Sequence, residues 1–196
     1  MPTVQTTLFD NTRIEIPSWI NDNTSFLRWA ESDEAPEKGK IGYHDGIVWI
    51  DHTMEQLFHN EIKAALTIAI SLWCQQHGLG KYYTDGMLYS NLEAEFTTVP
   101  DGIFVSKKTR MDGAVQFDKG KRSTKLTGTP DLIVEVISPS SVTKDQDELR
   151  DLYHQAGIRE YWLVDSRKNE PDLIILEWTK RGYRAVVKFR FAAWKR

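Results

Sequence analysis

Residues 132–165 constrain the fold more than any other stretch. LIVEVI is an unbroken apolar run with one charged residue inside it, SPSS follows as a turn, VTKDQDELRDLYHQA carries helical spacing up to Gly157, and IREYWLVD is a second compact apolar run. Strand, helix, strand in that order forms a crossover unit, which places the two strands in one sheet and parallel. Glu135, inside the first run, is the anomaly. An ionised carboxylate buried without a partner is costly enough that it either takes up a proton or is matched by a cation.

The rest of the chain supplies the surrounding elements. From Met54 to about Gln76, residues Phe58, Ile62, Ala65, Leu66, Ala69, Ile70 and Trp73 fall on one helical face. Thr53 or Asp51 is placed to cap the start of this helix and Gly78 its end. KYYTDGMLYS, AEFTTVPDGIFVS and TPDLIVEVIS read as three strands, and GYHDGIVWID as a short strand after a surface loop, ESDEAPEKGK. DLIILEWTKRGYRAVVKFRF reads as a β-hairpin turning at Lys180 to Gly182. The expected fold is α/β, an α+β arrangement around a mixed sheet, in the order helix, three strands, helix, strand, with extra N- and C-terminal strands. At 196 residues, 40% of them hydrophobic, the chain suits one domain over residues 1–196. Its core is expected over about residues 54–165.

A formal charge of −3 argues against a protein that coats nucleic acid by bulk positive charge. Local attraction is left to KKTRMDGAVQFDKGKRSTK and to the C-terminal KRGYRAVVKFRFAAWKR. A single cysteine, Cys74, excludes an internal disulfide and a zinc site of several thiolates, and it reads as a buried thiol on a helix. The five histidines lack HxxxH spacing, so zinc is not expected. No stretch reaches the length of a membrane span, and the first residues lack the features of a signal peptide. A cytoplasmic location is the expectation.

Alternation along the strand places Asp131, Ile133, Glu135 and Ile137 on one side and Leu132, Val134 and Val136 on the other. Asp131 lies roughly 13 Å from Glu135 along the strand, too far to share an ion with it, and Pro-Asp is an ordinary way to begin a strand. A better partner comes from VPDGIFVS, where Asp101 heads its own strand and a neighbouring strand runs about 5 Å away. Asp101 and Glu135, with a backbone carbonyl and waters, suit a hard cation such as Mg²⁺. A buried ion pair with Arg150 or Arg159 is the competing way to satisfy Glu135.

PDLIVEVISPSS followed by KDQDELRDLYHQAGIREYWLVD closely resembles the Uma-two family of restriction-endonuclease-like proteins, frequent in cyanobacteria, within the PD-(D/E)XK nuclease superfamily. The resemblance is strongest from Pro130 to Asp165. It implies a restriction-endonuclease-like core and a Mg²⁺ ion, with Mn²⁺ as substitute, held by Asp101 and Glu135. It also implies a lysine that orients the attacking water, and hydrolysis of DNA phosphodiester bonds. The superfamily's lysine position is Ile137 here, and the position used by many Uma-two members, four residues before Tyr153, is Leu149. Lys144 is the nearest amine. Arg150 stays protonated and suits a phosphate contact rather than proton transfer.

Glu61, on the first helix, matches in position a further metal ligand of such nucleases, with His59 close by. The connection from 107 to 125 is expected to border the substrate groove. Cutting two strands is simplest with a homodimer, for which Trp178 and Trp194 are candidate interface residues or core. Two other readings remain. Leu149 favours a catalytically degenerate nuclease fold that binds nucleic acid or a protein partner without cleavage. A sugar hydrolase using two carboxylates would work without metal.

Overall fold

The computed structural model describes residues 5–9, 12–36, 39–51, 56–139, 141–168 and 170–190. In chain order the elements are β1 (Gln5–Phe9), β2 (Thr12–Ile16), α1 (Asn23–Ala30), β3 (Lys40–His44), β4 (Ile47–Asp51), α2 (Leu57–His77), β5 (Gly80–Thr84), β6 (Leu88–Asn91) and β7 (Phe96–Thr98). They continue with β8 (Gly102–Ser106), α3 (Lys107–Met111), β9 (Val115–Gln116), β10 (Lys125–Gly128), β11 (Leu132–Ile137), α4 (Leu149–Gln155), β12 (Glu160–Asp165), β13 (Asp172–Thr179) and β14 (Gly182–Arg190). A wider π turn, Lys144–Glu148, leads directly into α4.

The crossover is at the centre of the first sheet, ordered β14-β13-β12-β11-β8-β5. β11 and β12 pair in parallel, with Glu135 opposite Leu163, as the strand–helix–strand pattern requires. Along this sheet the chain runs α2, β5, β8, β11, α4, β12, which is helix, three strands, helix, strand. β13 and β14 form the expected C-terminal hairpin, closing at Thr179 and Gly182.

The second sheet, β4-β3-β7-β6-β10-β9, was not foreseen. Two of the three segments expected to be single strands are each broken and shared between the sheets. KYYTDGMLYS becomes β5 and β6, parted at Asp85 and by Gly86 with φ +89°. AEFTTVPDGIFVS becomes β7 and β8, parted at Pro100 and Asp101. GYHDGIVWID is a hairpin rather than one strand, because Asp45 and Gly46 both hold positive φ (47° and 78°), as a tight primed turn demands. The 107–125 connection is also ordered: it carries α3, β9 and β10, and it leaves β8 at Ser106, the opposite end from Asp101.

A main core fills the space between the sheets and α4. Tyr89, Phe96 and Leu126 from the second sheet meet Ile103, Ile133 and Ile137 from the first, with Leu149, Leu152 and Tyr153 packed on them. On the other face of β11, Ile62 of α2 meets Val136 and Val164. Gly78 ends α2 in the left-handed region (φ +61°) as expected, but Gln56 begins it without a side-chain cap. Asp51 closes β4 instead, and Thr53 lies outside the described residues. Among the described residues no helix is long and apolar enough to cross a membrane.

Asp131 fastens the far end of β11. It accepts from Ser106 N (2.6 Å), Ser106 Oγ (3.2 Å) and Thr109 Oγ1 (2.7 Å), and pairs with Arg159. Asp131→Ala strands these donors in a site that is 7% exposed, and is expected to lower unfolding stability by about 3 kcal/mol. Chemical denaturation measures this, and a loss below about 1 kcal/mol would contradict the anchoring role.

Candidate active site

Antiparallel pairing of β8 with β11, with Val134 opposite Gly102, brings Asp101 beside Glu135. The Asp101 amide donates to Glu135 Oε2 at 3.3 Å, and the Val136 amide donates to Asp101 Oδ2 at 2.8 Å. Each acid is therefore held by the other's strand. Tyr153, reaching from α4, donates its hydroxyl to Glu135 Oε1 at 2.7 Å. Both acids are buried, at 6% and 3% exposure. The glycine of the VPDG motif has a specific task here. A Cβ at Gly102 would lie 1.8 Å from Tyr82 Oη, so only glycine lets the Tyr82 ring rest against β8 beside the acids.

The cations beside Asp101 are lysines, and neither arginine offered as the competing partner of Glu135 is paired with it. Lys40 Nζ lies 2.6 Å from Asp101 Oδ1 and Lys63 Nζ lies 3.4 Å from the same oxygen. Arg150 donates instead to the Tyr183 carbonyl at 3.3 Å, and Arg159 pairs with Asp131. Lys144 Nζ is 3.6 Å from Asp145 Oδ1, in the π turn. Asp145 is only 2% exposed, and its Oδ1 accepts no hydrogen bond among the described residues.

The charges set the proton affinities. Burial, then the charges of Asp101 and Asp145, push Glu135 up to about 8, with Lys144 and Lys40 opposing. Burial also lifts Asp145 to about 6, and Lys144 opposes that shift. Asp101 goes the other way: burial raises it, but Lys40 and Lys63 outweigh burial and hold it below the usual carboxylate range. For Lys144 burial is likewise outweighed, by Glu135 and Asp145, so its ammonium form is favoured.

The structure thus gathers Asp101, Glu135 and Tyr153, with His59 Nε2 3.8 Å from Asp101 Oδ2 and Lys144 at the edge beside Asp145. Glu61 is not drawn in. It is exposed on α2, because Ile62 and Lys63 occupy the face turned to the sheet. Arg150 and Asp131 are committed elsewhere, as described above. Ile137 and Leu149, the positions where the resemblance would place a lysine, are each 1% exposed in the apolar core. Lys40, Lys63, Asp85, Asp145 and Tyr82 were not anticipated. Lys63 carried a usable signal, standing four residues after His59 on the helix face that covers the sheet.

Two buried carboxyls from neighbouring strands of a mixed sheet thus lie side by side, with the Lys40 and Lys63 amines against Asp101. The chain belongs to the Uma2 (Uma-two) family, whose model, described as "putative restriction endonuclease", matches residues 24–191. Among solved structures it is similar to "a putative nuclease belonging to DUF820" from Anabaena variabilis, with a TM-score of 0.63 and 16% sequence identity, covering 84% of this chain and 83% of that one. At that identity the likeness speaks for the fold. No curated protein matches the sequence.

Proposed function

We propose that the protein is a Mg²⁺-dependent endonuclease that hydrolyses DNA phosphodiester bonds, with Mn²⁺ able to substitute. The observation that carries this reading is the apposition of Asp101 and Glu135, joined by the 3.3 Å contact of the Asp101 amide with Glu135 Oε2. Two carboxyls buried side by side repel once both are ionised, a repulsion that a cation displacing the Glu135 proton would relieve, and the donors on offer are hard oxygens. A pair of carboxylates suits Mg²⁺, which keeps several waters and needs only one or two of them.

Bound there, Mg²⁺ would polarise a phosphoryl oxygen and lower the pKa of a water. The protein supplies the rest. Val136 N–H fixes Asp101 through Oδ2 and leaves Oδ1 facing the site. Tyr153 and the Asp101 amide fix Glu135 from two directions, so its carboxylate needs little reorganisation. Lys144, kept protonated by Glu135 and Asp145, acts as a donor that orients the attacking water rather than as a base.

DNA would approach the lysines of this site, while three basic residues of the segments singled out by sequence are engaged in ion pairs. Lys108 pairs with Asp112, Lys125 with Glu31 at 2.9 Å, and Arg190 with Asp172 at 2.7 Å. A homodimer would present two such sites to two strands. The exposed face of α2, with Ile68, Leu72 and Trp73, gives that reading apolar surface to bury. Trp178 is stacked on His154 within one chain, and Trp194 lies outside the described residues.

Purified protein is expected to nick supercoiled plasmid in Mg²⁺ or Mn²⁺ and to stop on addition of EDTA. Cleavage that survives the chelator would refute the metal mechanism. Metal-independent DNA binding with no cleavage would favour the degenerate reading, which Ile137 and Leu149 support.

A further inference from the structure

We propose that Lys40 is a transferable cation: its amine, seated on Asp101 Oδ1, passes to Asp85 and the substrate phosphate when a divalent ion takes that oxygen. This rests on the nuclease reading and adds to it a residue from the second sheet.

The two oxygens of Asp101 have different surroundings. Oδ2 is engaged by the Val136 amide at 2.8 Å, part of the central strand, with His59 Nε2 3.8 Å away. Oδ1 faces Lys40 at 2.6 Å and Lys63 at 3.4 Å. A divalent ion that took Oδ1 would compete with both amines for that one oxygen.

A second acceptor stands within reach of both amines. Asp85, in the turn between β5 and β6, has Oδ1 3.4 Å from Lys40 Nζ, and its Oδ2 pairs with Lys63. Its side chain is 33% exposed, against 5% for Asp101. Each lysine already spans an inner and an outer carboxylate, and moving from one to the other needs only side-chain rotation. Lysine suits this better than arginine, being a compact charge on a flexible stem with no fixed fork to realign. Lys40 enters from β3 of the second sheet, whereas both proposed metal ligands belong to the first. Once displaced toward Asp85, the ammonium would remain at the edge of the site, where a cation can stabilise developing negative charge.

The test is Mn²⁺ binding to the full chain without DNA, followed by the electron paramagnetic resonance signal of free Mn²⁺. Lys40→Met is expected to bind Mn²⁺ about tenfold more tightly, because the competing charge is gone, while cleavage at saturating Mn²⁺ falls by about a hundredfold or more. Unchanged or weaker Mn²⁺ affinity overturns the proposal and leaves Lys40 a structural counter-ion. A measurement on the unaltered chain removes dependence on the variant's folding. Acetylation of lysines, read by mass spectrometry, is expected to rise at Lys40 when Mg²⁺ is added, and equal or reduced labelling overturns the proposal. Wild-type protein that binds no Mn²⁺ brings down the nuclease reading too. Wild-type protein that binds Mn²⁺ and cuts DNA, with affinity unmoved by Lys40→Met, brings down this proposal alone.

Discussion

Glu135→Gln is expected to reduce metal-dependent cleavage by roughly a thousandfold or more, equivalent to about 4 kcal/mol of transition-state stabilisation, without unfolding the protein. The substitution is nearly isosteric. The Asp101 amide can only donate, so the new carbonyl must face it, and the new NH₂ must face Tyr153, whose hydroxyl can turn to accept. What disappears is one of the two proposed anionic ligands. Asp101→Asn should cost a comparable amount, and it also disturbs the pairing with Lys40 and Lys63. Plasmid nicking, with folding checked by circular dichroism, measures both. Wild-type rates in both variants would remove the catalytic assignment.

The second large effect is on pH dependence. The folded protein holds the Glu135 proton up to about 8, well above the ordinary value of 4.5 that applies in the unfolded chain. Between those values the folded state binds more protons, so stability of the metal-free protein must fall as pH rises through that window. Asp145, raised to about 6, acts in the same direction below that pH. Asp101 acts oppositely: its lowered value contributes stability above its ordinary 3.8 that is lost as pH falls further. From pH 6 to 8 Glu135 dominates, with a slope on the order of 1 kcal/mol per pH unit. Glu135→Gln should flatten this slope. A cation must displace the same proton, so Mn²⁺ affinity should rise nearly tenfold per pH unit over that range, with close to one proton released near neutrality. Calorimetry in buffers of different ionisation enthalpy measures the release. Mn²⁺ affinity independent of pH would contradict the assignment of Glu135 as a ligand.

Much of the centre of the fold was legible because its signals are local. A glutamate inside LIVEVI is conspicuous, and Asp101 stands out in VPD at the head of a strand. Their meeting follows once β8 and β11 are neighbours. The second sheet was hidden because its strands branch off at TDG and VPD, breaks that resemble irregularities within a single strand. Lys40 was beyond local reasoning altogether: it stands 61 residues from Asp101, in a polar stretch indistinguishable from a surface loop.

Asp145 was obscured by the helix itself. Ser141, Asp145, Leu149 and Tyr153 are all buried at a strict spacing of four. A regular α-helix would rotate such a row by about 40° at each step, carrying it off the core. The wider turn at Lys144–Glu148 takes up that rotation, and with it a buried acid faces the site.

Crystals soaked in Mn²⁺ and measured at the manganese absorption edge address the central claim most directly. An anomalous peak bridging Asp101 Oδ1 and a Glu135 carboxyl oxygen, with the Lys40 amine moved off Asp101, is the predicted result. A site that takes up no manganese, with Lys40 still seated on Asp101 at saturating metal, would mean that the buried acids serve only as an internal ion-pair network.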